Sequence, residues 1–167
     1  MSHSPHDKHR VHLQLLARLR EQAQDIRRLT SGLDETALAT RTVPAKWSLK
    51  ELVCHLLSVQ RVFEGRIDRM LAEDRPTIVK FDVDNDPEFE RLVHQPASDT
   101  LSALMAGRDQ LIGRLESLVP AAWHRAGQHP EFPHFDVHFQ VEYMTHHEAH
   151  HIYQMLQRRI PLGKLPH

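Results

Sequence analysis

The chain has 167 residues, 40% of them hydrophobic and 26% charged, so it is long enough to bury a core and is expected to form one domain over residues 1–167. Its 21 Lys and Arg nearly balance 22 Asp and Glu, which leaves no basic excess for a nucleic-acid partner. Cys54 is the single cysteine, which excludes an internal disulfide framework. With no apolar leader or membrane-spanning segment, we expect a cytoplasmic protein without a membrane partner.

Four segments show the three-to-four-residue spacing of apolar side chains that is typical of amphipathic helices. These segments are residues 5–31, 48–72, 98–119 and 135–159. The second begins with an S-x-x-E capping box, formed by Ser48 and Glu51. Four such helices predict an all-α four-helix bundle, with long loop connections between helices 2 and 3 and between helices 3 and 4. These connections could contain short helical turns.

Histidine is abundant, with 15 residues, and six of them fall between residues 134 and 151. His147 and His151 are four residues apart in the fourth segment, so their rings should project from one face of a helix. Two imidazoles at this spacing can reach one metal ion. Four other histidines lie in or near a terminus that we expect to be frayed, and we assign them no function: His3, His6, His9 and His12.

A third ligand is expected from another helix, and His55 lies at the edge of the apolar stripe of the second segment. A lone histidine there is more often a core residue, but bundles build metal sites from facing helices. We therefore predict a site of His55, His147 and His151. Three neutral imidazoles leave positions open, so the ion could acidify water or hold a thiolate. Zinc and nickel suit imidazole best, with iron or manganese as alternatives.

Several neighbours flank this helical face. Tyr143 and Gln154 are candidates for supporting the ligands, and Glu148 is a candidate for the same role or for packing. His146 and His150 are expected to point toward solvent or to support the ligands. No residue is assigned as a general acid or base, so catalysis itself stays an open expectation.

Two stretches form motifs on the predicted second and fourth helices. Residues 44–56 contain Trp47, then a serine cap and the inward His55. Residues 146–154 contain an H-x-x-x-H pair followed by Gln154. These motifs resemble those of the DinB-like family, in the branch that includes YfiT-like metal-dependent hydrolases. The helix count and the spacing between the motifs also agree, so the resemblance covers nearly the whole chain.

This resemblance implies a DinB/YfiT-like four-helix bundle, often a homodimer, with metal ligands at His55, His147 and His151. Related proteins include S-transferases and isomerases that use low-molecular-weight thiols such as bacillithiol or mycothiol. The implied function is hydrolysis or thiol-dependent S-transfer on a small electrophilic substrate. One departure is Ile152-Tyr153, where many relatives have Arg-Gly, and we expect the bulky Tyr153 to change helix packing.

The same histidines are compatible with two other functions. Residues 147–151 match H-E-x-x-H, the zincin protease signature, in which Glu148 would be the general base. The third zincin ligand normally lies well downstream, and His167 is the one candidate left, so this interpretation is disfavoured. The other alternative is a non-catalytic metal-binding or stress-response module, in which the ligands mainly hold the bundle together.

Three remaining features are interpreted as structural. The acidic run 82–87 resembles the start of an EF-hand loop, but Pro87 and Val93 replace the required Gly and Glu, so we expect a solvated loop. Arg108 interrupts the stripe of the third helix and could pair with Asp82. The last set is predicted to be buried or to anchor packing: Cys54, Trp47 and Trp123.

Overall fold

Helices dominate the chain in a computed structural model that describes residues 5–166, with side chains from residue 9 onward. The helices are α1 (Pro5–Thr30), α2 (Glu35–Ala39), α3 (Leu49–Ala72), α4 (Pro87–Val93), α5 (Ala97–Glu116) and α6 (Val137–Arg159). The predicted four-helix bundle is confirmed, because α1, α3, α5 and α6 each begin and end within three residues of the predicted bounds. The shorter elements are 3₁₀ turns at Pro120–His124 and Ile160–Leu162, and the antiparallel strands β1 (Ala126–Gly127) and β2 (Phe135–Asp136).

Helix α3 begins where the capping box predicts. The Ser48 hydroxyl accepts a hydrogen bond from the Glu51 N–H at 3.1 Å, and the Glu51 carboxylate accepts one from the Ser48 N–H, also at 3.1 Å. Arg41 also contacts this carboxylate, at 2.6 Å. The first turn of α3 is therefore fixed, and with it the position of His55 two turns later.

Two apolar clusters at opposite ends of the bundle show in which direction each helix runs. One contains Leu16 (α1), Phe63 (α3), Leu115 (α5) and Val141 (α6). The other contains Leu29 (α1), Leu52 (α3), Leu104 (α5) and Met155 (α6). Helices α1 and α6 therefore run in one direction, and α3 and α5 run in the other. Because α3 and α5 are parallel and in contact, the chain must return the length of the bundle between them, which explains the long connection 73–96.

A polar layer built around Arg108 separates the two clusters. Its guanidinium donates to the Leu19 carbonyl and to Gln60 Oε1, each at 2.9 Å, and both sides of the Glu148 carboxylate accept from it. The prediction that Arg108 pairs with Asp82 is wrong, because Asp82 lies in an exposed loop and a buried guanidinium requires a buried carboxylate at its own level.

The acidic run has a structural role, as expected, although not simply as a solvated loop. Asp86 caps α4, and its Oδ1 accepts from the backbone N–H groups of Glu88 and Phe89 at 3.1 and 3.2 Å. The Ser58 hydroxyl donates to the other oxygen of Asp86 at 2.6 Å. Pro87 follows as the first residue of α4, where its missing N–H is harmless. The run therefore ties the long connection to α3.

The N-terminal region differs from the expectation of a frayed end. His12 is only 4% exposed and stacks on Trp123, with ring centroids 4.1 Å apart and planes 7° from parallel. It was expected to have no role, but α1 extends far enough to cover the Pro120–His124 turn with this ring. His9 is exposed, whereas His3 and the side chain of His6 lie outside the described part of the chain.

Two further side chains test the sequence-based interpretations. Cys54 is fully buried, as predicted. Tyr153 does not alter helix packing, because its side chain is 61% exposed on the outer face of α6. Within residues 5–166, no helix combines the length and apolar character needed to cross a membrane.

Candidate metal centre

The structure brings together the three histidines that the sequence predicts as ligands. His55 comes from α3 and His147 and His151 come from α6, which packs antiparallel against α3. One ring nitrogen of each lies within 4.8 Å of those of the other two. His55 is 3% exposed and His151 is 8% exposed, whereas His147 is partly open to solvent. The three imidazoles therefore converge where the core of the bundle meets solvent.

The pair on α6 already has the spacing of metal ligands. The Nε2 atoms of His147 and His151 lie 3.2 Å apart, and two nitrogen ligands of a tetrahedral zinc ion lie about 3.3 Å apart. Gln154 Oε1 accepts a hydrogen bond from His151 Nδ1–H at 2.8 Å, which leaves a lone pair on Nε2. The Gln154 amide group in turn donates to His150 Nε2 at 3.3 Å. Gln154 thus supports His151 through a direct hydrogen bond.

His55 is held by aromatic packing rather than by hydrogen bonds. The Trp47 and Phe81 rings lie 5.0 and 6.3 Å from its ring, centroid to centroid. The Trp47 carbonyl accepts from Arg158 Nε at 3.0 Å, which fixes the residue before the helix cap. His55 Nδ1 is buried without a hydrogen-bond partner among the described residues. A buried imidazole with an unsatisfied nitrogen beside two other imidazoles fits a metal ion.

Burial keeps the three imidazoles neutral. It lowers the pKa of His55 to about 4 and that of His147 to about 3, with further lowering from the neighbouring histidines. The pKa of His151 is also lowered, mainly by burial. No carboxylate contributes to any of these shifts. The donor set is therefore three neutral nitrogens, which would leave the charge of a divalent ion uncompensated.

The neighbours of the three histidines take different roles. The Glu148 carboxylate accepts hydrogen bonds from Arg108 and makes none with the side chains of the three histidines, so Glu148 does not support their rings. The same ion pair removes the general base that a zincin mechanism needs, and His167 lies outside the described residues. Tyr143 packs parallel to the His147 ring at 6.3 Å, and His146 and His150 are exposed.

A pocket of about 150 Å³ opens beside His147. Its aromatic walls are Phe63, Phe81, Phe132 and Tyr143. Its polar lining is Arg66, Lys80, His129 and Glu131. These polar residues were not predicted from the sequence. Arg66 was detectable as a charge beside Phe63 and Ile67 on the apolar side of α3, whereas the residues in irregular loops carried no periodic signal.

The chain is similar to known proteins over most of its length. A family model described as the DinB superfamily matches residues 18–155. YuaE of Bacillus subtilis strain 168, an uncharacterized protein, is 27% identical over 137 residues, which cover 74% of this chain and 84% of YuaE.

A solved structure shows the same fold. It is that of YfiT from Bacillus subtilis, described as a probable metal-dependent hydrolase with an unusual four-helix bundle topology. The TM-score is 0.79 at 19% identity, and the match covers 97% of this chain and 91% of YfiT. The shared fold and the family match over residues 18–155 lead to one conclusion: the chain belongs to the DinB superfamily.

Proposed function

We propose that this chain is a metal-dependent enzyme, in the first place a hydrolase of a small electrophilic substrate, with His55, His147 and His151 as the metal ligands. The observation that carries the proposal is the position of His147. It belongs to the three-histidine cluster and also lines the pocket, so a substrate in the pocket would meet the metal. A closed structural site would instead have four protein ligands and no adjoining pocket.

In this proposal, residues of the chain hold the metal ion and fix the orientation of the histidine rings. His55, His147 and His151 would hold a divalent ion, whose Lewis acidity would polarise a carbonyl or phosphoryl group and activate a nucleophile. Gln154 keeps the proton of His151 on Nδ1, so that Nε2 faces the site as a lone pair. Phe63 and Tyr143 pack against the His147 ring and exclude water from one side of it. No protein residue is assigned as a general base.

Support for hydrolysis comes from the fold shared with YfiT, described as a probable metal-dependent hydrolase. The same site would also suit a low-molecular-weight thiol as the nucleophile in place of water, which is a feature of related S-transferases. Zinc or nickel is the metal we propose, because the donors are three imidazole nitrogens. The non-catalytic module keeps the ligand set but predicts no turnover.

Metal content tests the ligand assignment. The protein should be purified without a nickel column, and its metal measured by mass spectrometry for the parent and for His55→Ala, His147→Ala and His151→Ala. We expect about one ion per chain in the parent and a large loss in each variant. His146→Ala is the matched control, because His146 adjoins His147 but is exposed. Equal metal content in His147→Ala and His146→Ala would overturn the assignment.

Turnover tests the reaction. The metal-loaded protein should be incubated with esters, amides and alkyl halides, with and without added thiols, and compared with protein stripped by a chelator. Metal-dependent release of product without thiol supports hydrolysis, and release only with thiol supports S-transfer. Absence of metal-dependent turnover across the panel would contradict an enzyme and favour the module.

A further inference from the structure

The buried Arg66 lines the pocket beside His147 and has no acidic partner. Its side chain lies on α3, one turn after Phe63, and the residue is 9% exposed. No carboxylate of the described residues lies within ion-pair distance of it, whereas Arg108, which is 1% exposed, is paired with Glu148. Burying a cation without an anion costs free energy, so we looked to the pocket for a group that would compensate the charge of Arg66.

Two hydrogen bonds position the Arg66 guanidinium, but they do not use all of its N–H donors. Nη2 donates to the Val79 carbonyl at 2.8 Å, and Nη1 lies 3.3 Å from Gln140 Oε1. Nε is buried and has no partner among the described residues. A guanidinium offers five N–H donors, and these two hydrogen bonds use two of them. These donors form a planar fork that matches an oxyanion in two-point contact.

The other charges of the pocket do not neutralise Arg66. Lys80 and Glu131 pair with each other at 2.6 Å on the exposed rim, so their charges cancel. Burial and the Arg66 charge lower the pKa of His129, which keeps that ring neutral. The backbone N–H of Glu131 donates to His129 Nδ1 at 3.1 Å, so the ring proton lies on Nε2 as a further donor. The lining therefore carries one net positive charge beside aromatic walls.

We propose that this pocket binds a small substrate through an oxyanionic group, a carboxylate or a phosphate, that Arg66 holds beside the metal centre. The aromatic rings Phe63, Phe132 and Tyr143 would pack on its apolar body. The pocket's volume of about 150 Å³ suits a compact organic acid rather than a peptide. This inference rests on the proposed function for the reaction, but anion binding by Arg66 requires no turnover.

Binding of simple probes tests the proposal. Benzoate, phenyl phosphate and neutral benzamide should be titrated by calorimetry into the protein, both metal-loaded and chelator-treated. We expect at least one anion to bind the chelator-treated protein about 10-fold or more tightly than benzamide, and metal to tighten it further. The stronger of the two anions identifies the oxyanion. Equal binding of anions and benzamide would overturn the proposal.

Variants assign the binding to Arg66. Arg66→Gln should weaken the preferred anion about 10- to 100-fold and leave benzamide unchanged, while Arg66→Lys should restore part of the loss. Arg69→Gln is the matched control, because Arg69 lies on the same helix but outside the pocket, paired with Glu73. If Arg66→Gln unfolds the chain, the comparison of Arg66→Lys with Arg69→Gln decides instead. Equal anion affinity in Arg66→Lys and Arg69→Gln would then overturn the proposal, because a lysine cannot reproduce the two-point contact of the guanidinium.

The two proposals fail in distinguishable ways. If the protein binds no metal and shows no turnover but binds anions through Arg66, the proposed enzymatic function is wrong and the anion-binding proposal stands. The opposite result is metal-dependent turnover with the same kcat/KM for anionic and neutral esters, unchanged in Arg66→Gln. The proposed enzymatic function would then stand and the anion-binding proposal would be wrong.

Discussion

His147 and Glu148 are adjacent in the chain, yet they face different surroundings on two sides of α6. His147 lines the pocket and joins the histidine cluster, whereas Glu148 points into the core and pairs with Arg108. Successive residues of a helix diverge by about 100°, which is enough here to separate a surface site from the bundle interior. The short histidine-rich segment of α6 therefore contributes both to the candidate site and to the structural polar layer.

Removing one partner of the buried pair should strongly destabilise the fold. Glu148→Gln leaves the Arg108 guanidinium buried without its anion, so we expect the free energy of unfolding to fall by about 3–5 kcal/mol. Urea unfolding followed by circular dichroism measures this change. The double variant Arg108→Met with Glu148→Met should be more stable than Glu148→Gln, because no uncompensated charge is left in the core.

An exposed ion pair provides the control for that measurement. Asp68 pairs with Arg114 on the surface, where both side chains are about half exposed. Asp68→Asn should change the free energy of unfolding by less than about 1 kcal/mol. The assigned role of Glu148 is wrong if Glu148→Gln is no more destabilising than Asp68→Asn.

Loss of the hydrogen bond to His151 should weaken metal binding without removing a ligand. Gln154→Leu leaves Nδ1 of His151 without its acceptor, so the ring orientation and tautomer are no longer fixed. We expect the dissociation constant for zinc to rise about 10- to 100-fold, measured by competition with a chromophoric chelator. Gln157→Leu makes the same change at an exposed position one turn away and should have no effect. Equal affinities in the two variants would contradict the supporting role.

Periodic features were predictable from the sequence, and features that depend on chain path were not. The apolar spacing predicts α1, α3, α5 and α6, and the four-residue interval predicts that His147 and His151 share a face. The parallel pairing of α3 with α5 follows from the return of residues 73–96 along the bundle, which has no local signature. Arg66 faces a pocket between two irregular loops, so the sequence could show its unusual place on α3 but not what surrounds it.

Cys54 should be inert in the folded chain, although it adjoins His55. Its side chain is fully buried, and burial raises the pKa of its thiol to about 11. At pH 8 only about one thiol in a thousand would then be the reactive thiolate. Iodoacetamide should therefore label Cys54 at least 100-fold more slowly in native buffer than in urea, as measured by intact-mass spectrometry. Comparable rates in the two conditions would show that the thiol is accessible and contradict this burial.

His12 should make the fold less stable in mild acid. Burial, together with the neighbouring His138 and His124, lowers its pKa from 6.5 to about 4, although Asp136 opposes this. Between these two pH values the unfolded chain binds a proton that the folded chain does not. The contribution of His12 to the free energy of unfolding is therefore complete above pH 6.5 and falls as the pH is lowered toward 4.

Replacing His12 with a ring that cannot titrate isolates this contribution. His12→Phe keeps an aromatic face on Trp123, so its free energy of unfolding should fall less steeply than that of the parent between pH 6.5 and 4. The buried His55 and His147 titrate in both proteins and cancel in the difference. His134→Phe, at an exposed position, should follow the parent. The prediction is wrong if the free energy of unfolding depends on pH in the same way in His12→Phe and in the parent. His12 would then accept a proton as easily in the folded chain as in the unfolded one, which its buried stack on Trp123 should prevent.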